Sequence, residues 1–477
     1  MNINQWIENH GQKFCQLSDE IWDFAELKFD EYRSSEVLKN ALVEEGFEIG
    51  EVIEDMETAF VASYGSGYPV IGILAEYDAL DGQSQIADVF EPVNRAGINE
   101  GHGCGHHIFG AASVSAAVAM KQHLCARGGS GTIQVFGCPG EEGGSGKAFM
   151  SRAGVFNHLD VAIGWHPGSI NSMFSVSTLA NIQCYFRFKG RSSHAAASPH
   201  LGRSALDSVE LMNVGVNYLR EHIISDARVH YAVTNAGGNS PNVVQAEAEV
   251  LYLIRAPRIN QAKEIFGRVI KIAEGAAMMS ETEVEVVFDK ACSNIIPNAT
   301  LSEIMSEVGI KMEPMRFTEE EEIYARKYIE TLSDAEKNGN QMMMALFGKK
   351  LGDDLKREFQ RPLFGSFVPY FASDKAMPGS SDVGDVSWVV PTVQCMTTCY
   401  AQNTPAHSWQ MVAQGKSSIA HKGLLHASKI MANTAAYLLE NPELIEKSKI
   451  ELEERLGGTK YVCPIPDEVK PTPYKKA

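Results

Sequence analysis

The sequence predicts an α/β protein: a central mixed, mostly parallel sheet with helices on both faces, plus an inserted β-α-β-β-α-β unit. Three observations carry this. Val70 to Ala75 is almost wholly apolar, the pattern of a central strand covered on both faces. Two further apolar runs, Thr132 to Phe136 and Val161 to Gly164, follow the alanine-rich helical stretch Phe109 to Leu124, so strands and helices alternate. From Ile182 to Phe288 the pattern becomes strand, helix, two strands, helix, strand.

Residues 4–46 carry apolar positions at helical spacing (Ile21, Phe24, then Val37, Leu38, Ala41, Leu42), and Gly46 follows as a stop, which gives two packed helices. The strand Ala59 to Ser63 precedes Val70 to Ala75. The latter ends in Glu76-Tyr77-Asp78, where open α/β sheets gather ligands, although such acids serve equally well as loop caps. His102-Gly103-Cys104-Gly105-His106-His107 then opens the helix from Phe109. Thr132 to Phe136 leads into the turn Gly137-Cys138-Pro139-Gly140-Glu141-Glu142-Gly143-Gly144, and Val161 to Gly164 into Trp165-His166-Pro167. The inserted unit has strands Ile182 to Phe188, Val229 to Thr234, Val250 to Arg255 and Val284 to Phe288, with helices Ser204 to Tyr218 and Gln261 to Met278. Thr318 to Arg357 is highly charged and reads as a solvated surface excursion in preference to an added flap. A strand around Val393 to Met396, the segment Thr404 to Ser408 and a long helix Ser417 to Leu439 follow. The tail from Cys463, with prolines at 464, 466, 471 and 473, reads as an extended strap. The expected division is a catalytic domain in two parts, 1–178 and 292–477, with a helical insertion around 301–370, and an inserted lid or dimerisation domain, 179–291.

The 477 residues suffice for two domains, and a formal net charge of −18 argues against nucleic acid or an anionic membrane as partner. The longest apolar runs, such as Ala111 to Met120, are too short to span a bilayer. Nine cysteines without a CxxC pair, and a start lacking a basic then an apolar region, predict a reduced cytoplasmic enzyme.

Adjacent carboxylates at Glu141 and Glu142 repel each other unless a cation lies between them or both are solvated. Cys104, His106, Glu142, His166 and His407 offer soft, borderline and hard donors, too many for one tetrahedral ion and suited to a pair with positions open for water. Such a pair lowers the pKa of water to about 7 and polarises a carbonyl, needing only a base. Glu141, beside a ligand and not required as one, fits that role. A thiol hydrolase with Cys104 as nucleophile and His106 as base is the competing chemistry, and it leaves Glu141, Glu142, His166 and His407 without a task.

These motifs resemble the dinuclear metallopeptidases and amidohydrolases, a family that includes aminoacylases, carboxypeptidase G and the plant auxin-conjugate hydrolases. The resemblance spans nearly the whole chain: Phe24-Ala25-Glu26-Leu27, Glu76-Tyr77-Asp78-Ala79-Leu80, Gly103-Cys104-Gly105-His106, Pro139-Gly140-Glu141-Glu142-Gly143, Trp165-His166, Gly190-Arg191-Ser192-Ser193-His194-Ala195 and His407. It implies Glu141 as general base and Cys104, His106, Glu142, His166 and His407 as ligands of two divalent ions. Manganese follows from the family, whereas the cysteine pulls toward zinc. Asp78 keeps the position that orients a ligand. Glu76 stands where many relatives have histidine, and His107 where many have aspartate. His194 matches a lid histidine placed over the scissile carbonyl, often in the site of a partner protomer, and Asn242 and Arg255 match positions that bind the substrate carboxylate. Without the resemblance, His194 is a capped loop histidine and Arg255 pairs with a structural acid. The runs Asn99 to His106, Ser198 to Asp207 and Asp382 to Trp388 resemble those of a narrower subgroup of the family, and that resemblance implies an aroyl-glutamate as substrate. The expected activity is hydrolysis of the amide bond of an N-acyl or N-aroyl amino acid by a homodimer or a heterodimer with a homologous chain. The alternatives are a broader N-acyl amino acid or dipeptide hydrolase, and a non-catalytic chain that only positions a catalytic partner.

Overall fold

A computed structural model describes residues 2–53, 55–339, 350–373 and 375–474. Its strands, in chain order, are β1 (Glu48–Ile49), β2 (Phe60–Ser66), β3 (Val70–Glu76), β4 (Gly131–Cys138), β5 (Val161–Gly168), β6 (Ser172–Met173), β7 (Ala180–Lys189), β8 (Arg228–Asn235), β9 (Glu247–Ala256), β10 (Glu283–Cys292) and β11 (Thr392–Thr398). They form a seven-stranded sheet in the order β1-β2-β4-β3-β5-β11-β6 and a four-stranded sheet in the order β10-β7-β9-β8. In the larger sheet β3 runs parallel to β4 and β5, and β11 parallel to β5, while β1, β2 and β6 pair antiparallel at the edges. The expected mixed α/β sheet and the inserted β-α-β-β-α-β unit are therefore present, with three of the six pairings in the larger sheet parallel and the inserted sheet antiparallel throughout.

The helices that position the site are α1 (Ile3–Phe24), α2 (Tyr32–Glu44), α3 (His106–Arg127) and α4 (Gly146–Arg152). Asn2 caps α1 by accepting from the Gln5 N–H, and Ile3, Ile7, Phe14, Leu17 and Ile21 bury one face of it. Along β3, Ile71, Ile73 and Ala75 enter the core shared with α1, α3 and the helix Ser418–Glu440, and Leu74 enters the core on the opposite face. That period-two alternation is what a strand covered on both faces requires, each large side chain contributing about 1.5–3 kcal/mol. Helix α3 is buried nearly all round, and its alanines let it lie close to the sheet: Ser113 donates to the Leu74 carbonyl at 2.6 Å, and a Cβ on Gly110 would come within 2.7 Å of the Glu76 carbonyl.

In the smaller sheet Ile182, Cys184, Phe186 and Phe188 of β7 and Val250, Tyr252 and Ile254 of β9 pack against α5 (Ala205–Leu219) and α6 (Ile259–Ser280). Alternate residues, Arg255 among them, face away from those helices. β8 is an edge strand on which Val229 alone is buried.

Thr318 to Arg357 departs from the solvated excursion expected. Helix α7 (Glu319–Glu330) buries Ala325 and Tyr328 in a small core with Leu363, Ala401, Ala413 and Ile419. Its acid-rich first turn dominates the composition, and the apolar face is only one turn wide, too narrow to register as periodicity. Residues 340–349 of that segment lie outside the described residues. The tail from Cys463 is an extended strap without helix or strand, held where Arg152 Nη1 donates to the Pro466 and Val469 carbonyls at 2.9 and 3.0 Å. Among the described residues no helix is long and apolar enough to cross a membrane.

Candidate metal centre

Because β3, β4, β5 and β11 run parallel, their carboxyl ends lie along one edge of the sheet. β3 ends at Glu76, with Asp78 just beyond. β4 ends at Cys138, before the turn bearing Glu141 and Glu142, and β5 carries His166. Cys104 and His106 arrive at the N-terminus of α3. The turn into α3 needs Gly105: its φ is +79°, and a Cβ there would lie 2.3 Å from the Tyr400 hydroxyl. His407 comes from the loop after β11, held by its N–H donating to the Gly103 carbonyl at 2.8 Å. Its φ of +56° is a left-handed conformation that a non-glycine residue keeps only under local constraint.

The five expected ligands and the expected base converge. Donor atoms of Cys104, His106 and His166 lie within 4.8 Å of one another; so do those of Cys104, Glu142 and His407, and those of Glu76, His106 and Glu141. Cys104 Sγ is 3.5 Å from His166 Nε2, and His407 Nε2 is 3.4 Å from Glu142 Oε1. Cys104 thus belongs to two of the donor groups. Asp78 ties two parts together: one oxygen accepts from His106 Nδ1 at 2.7 Å, and the other from the Glu142 N–H at 2.8 Å. The first of these bonds fixes the imidazole so that Nε2 faces the cluster, as carboxylate–histidine pairs do at metal sites.

The charges explain why a cation suits the cluster. Burial would depress the His106 pKa, but Asp78, Cys104 and Glu76 outweigh it and push the pKa well above the ordinary value. Burial would raise Glu142, and His407 and His106 instead hold it down at about 2. Glu141 is pushed well up by burial, then by Glu76, Asp382 and Glu142. The Cys104 thiol is likewise pushed well up by burial and by Glu142. His166 falls to about 4 through burial and the proximity of His106, which leaves a neutral imidazole with a lone pair to give. Among the described residues, His106 Nε2 and Glu142 Oε1 are buried without a hydrogen-bond partner. His106 Nε2 instead faces Glu76 Oε2 at 3.2 Å and Glu142 Oε1 faces His407 Nε2 at 3.4 Å, and these contacts, a half-buried thiol and crowded carboxylates form a set that fits divalent cations.

Two features of the site escaped the sequence reading. Lys147, fully buried at the start of α4, places Nζ 2.7 Å from Glu76 Oε1 and 2.6 Å from Asp382 Oδ1, while its N–H donates to Asp382 Oδ2 at 2.8 Å. Burial would lower its pKa, and Asp382 and Glu76 hold it well above the ordinary value instead. Lysine after a glycine turn reads as solvated, and its partner lies 235 residues away; only the run containing Asp382 gave a signal. His102 and His107 face away from the cluster into the core, their Nε2 atoms donating to the Ile21 and Gly415 carbonyls, each at 3.0 Å.

Of the expected substrate-side residues, Arg255 lies on the smaller sheet and His194 and Asn242 on its loops. His194 is exposed, and its Nδ1 accepts from the Ala196 and Ala197 N–H groups at 3.2 Å; among the described residues no contact joins it to the cluster. It bridges to Val243, and the Asn242 carbonyl accepts from the Ala195 N–H, so His194 and Asn242 share one exposed loop pair. Arg255 reaches beyond the smaller sheet: its Nη1 lies 3.4 Å from Ser380 Oγ, two residues before Asp382. No acid pairs with it among the described residues. It stands opposite Arg228 in the β8–β9 ladder, a like-charge pairing that is unfavourable without an anion nearby.

Residues 178–278 match the family model of the peptidase dimerisation domain. The chain is 47% identical to one of the chains of Escherichia coli p-aminobenzoyl-glutamate hydrolase over 99% of this chain and 98% of that protein. It is 30% identical to a second chain of the same organism's enzyme over 48% of this chain and 54% of that one. Its backbone resembles that of a dinuclear metal-binding peptidase of the M20 family from Bacillus subtilis, with a TM-score of 0.56 at 18% identity over 91% of this chain and 99% of that one. With the ligand motifs in place and the 47% match running nearly end to end, this chain belongs to the M20 family of metal-dependent amide hydrolases, on the branch of p-aminobenzoyl-glutamate hydrolase.

Proposed function

We propose that this chain hydrolyses the amide bond of p-aminobenzoyl-glutamate to p-aminobenzoate and glutamate, and that Cys104, His106, Glu142, His166 and His407 would hold two divalent cations. The observation that carries the reading is the convergence of the donor atoms of Cys104, His106, His166, Glu142 and His407 in two groups that share Cys104, with Glu141 grouped with His106 and Glu76 in a third. Bound ions would acidify the attacking water and polarise the amide carbonyl. Glu141, whose carboxylate is destabilised by burial and its neighbours, takes the proton that the water gives up and returns it to the leaving nitrogen. Asp78 keeps His106 in the required tautomer. Manganese follows the family pattern, and the thiolate leaves zinc as the competing metal. Cys104→Ser replaces a thiolate with a neutral hydroxyl, so it is expected to lower metal stoichiometry by half or more in protein prepared without added metal; unchanged metal content and activity would remove Cys104 from the site.

The arginines account for the acidic amino acid. Arg255, facing Ser380 with Arg228 opposite, is placed to hold a carboxylate in bidentate fashion. Arg255→Ala is expected to raise KM for acyl-glutamates about tenfold or more, the worth of one charged hydrogen-bonded contact, and to leave a neutral amide nearly unaffected. Equal losses on both substrates would make Arg255 structural.

We infer that residues 1–178 and 292–477 carry the chemistry and that 179–291 serve as lid and dimerisation unit, pairing with a second copy or with a homologous chain. The unpaired edge of β8 supports this, as does His194, whose exposure leaves it free to serve a neighbour's site as an oxyanion donor, with Asn242 on the substrate beside it. Mixing His194→Ala with Glu141→Gln protein under conditions of proven protomer exchange is expected to restore activity. No recovery would mean that His194 acts in the site of its own protomer or not at all. All nine cysteines are free, in keeping with a cytoplasmic setting.

A further inference from the structure

A cavity of about 570 Å³ lies where the two sheets are joined, and none of the ligand cluster lines it. The outbound link between β6 and β7 and the return link after β10 meet here: Ser177 Oγ donates to the Ile295 carbonyl at 2.9 Å, and both residues line the cavity. The first turn of α6 forms one wall and the chain after Leu452 another. Four cations, Arg258, Lys263, Arg455 and Lys460, line it, and among the described residues no carboxylate does. In a chain of net charge −18 that is a local reversal of sign. Arg455 is paired with Glu451 at 2.8 Å, whereas Arg258, Lys263 and Lys460 carry no ion pair among the described residues. The first turn of α6, a 22-residue helix, contains no acid, so its positive end is also uncompensated. Trp388 and Tyr461 add aromatic surface, and the volume lies within the range that small-molecule sites occupy.

We propose that this cavity binds a small phosphate-bearing organic anion of mononucleotide size, and that the bound anion fixes the lid against the body. The phosphate is held between Arg258 and Lys263 on the lid side and Lys460 on the body side, and the organic part lies against Trp388 and Tyr461. The floor is connected to the site already described. Ser293 Oγ and the Tyr461 hydroxyl donate to Asp385 at 2.7 and 3.0 Å, and Asp385 lies one turn after Asp382, the partner of Lys147.

Anion binding here is independent of the substrate assigned above. Its test is calorimetric titration of the metal-loaded full-length protein with adenosine monophosphate, inorganic phosphate and adenosine. The nucleotide is expected to saturate one site per chain, phosphate to bind at least tenfold more weakly, and adenosine not to bind. The exposed pair Lys263→Glu/Lys460→Glu is expected to weaken nucleotide binding at least tenfold while leaving kcat/KM without nucleotide unchanged. Absence of nucleotide binding by the unaltered protein, undiminished binding by the double variant, or binding that substrate abolishes competitively would each overturn the proposal.

Discussion

Glu141→Gln is expected to lower turnover by about 10²–10⁴-fold while leaving metal stoichiometry and the unfolding midpoint close to those of the parent protein. The amide has the shape of the carboxylate and lacks only the capacity to accept a proton. Glu141 is also the acid of the turn that is absent from both donor groups containing Cys104. Its pKa is pushed up by burial and by Glu76, Asp382 and Glu142, the setting in which a carboxyl moves toward the working range of a general base. Removing the charge relieves repulsion with Glu142, so no loss of fold accompanies the loss of rate. Metal analysis, with release of p-aminobenzoate followed by its absorbance, separates the outcomes. A metal-depleted variant would make Glu141 a ligand, and one with near-normal turnover would make it a bystander.

Lys147→Met is expected to destabilise the metal-free protein by about 3–5 kcal/mol, the cost of leaving buried acids without their counter-ion. Methionine fills nearly the same volume, so packing loss contributes little. Glu76 and Asp382 are 2% and 1% exposed, and the lysine is the cation both of them touch. Metal loading supplies positive charge to the same cluster, so the deficit measured by urea unfolding should be smaller in the loaded protein than in the chelated one. Adding Asp382→Asn should recover part of the loss, because it removes one of the two stranded charges. A variant as stable as the parent in both states would show that the Glu76–Lys147–Asp382 contacts contribute no stability, and a deficit unaltered by metal would show that they act independently of the metal centre.

These two residues mark the boundary of what could be read from the chain alone. Glu141 announced itself because its neighbours in sequence are its neighbours in space: a strand, a glycine turn and a second acid within a short stretch. The same holds for Cys104 and His106 at the start of a helix and for the alternation along β7 and β9. Local periodicity and turn chemistry are set by backbone sterics and burial, which act over a few residues and leave their period in the sequence. Lys147 and Asp382 meet across 235 residues, and nothing local distinguishes a buried lysine from a solvated one. Which donors are held in common was decided by tertiary structure too. The parallel order of β4, β3, β5 and β11 lines up four strand ends at one edge, and that alignment puts Cys104 between His166 and the Glu142–His407 pair. The acidic helix α7 reverses its sequence reading for a related reason: charge dominates composition, whereas burial is decided by whichever apolar residues of Leu363, Ala401, Ala413 and Ile419 arrive from elsewhere to cover Ala325 and Tyr328. The sequence by itself determined the residue types of the site and the alternation of the elements, because both are written in short-range pattern. The charge balance inside the cluster and the place of Cys104 in two donor groups were decided only by the fold, because electrostatic energy depends on distances that sequence separation does not encode.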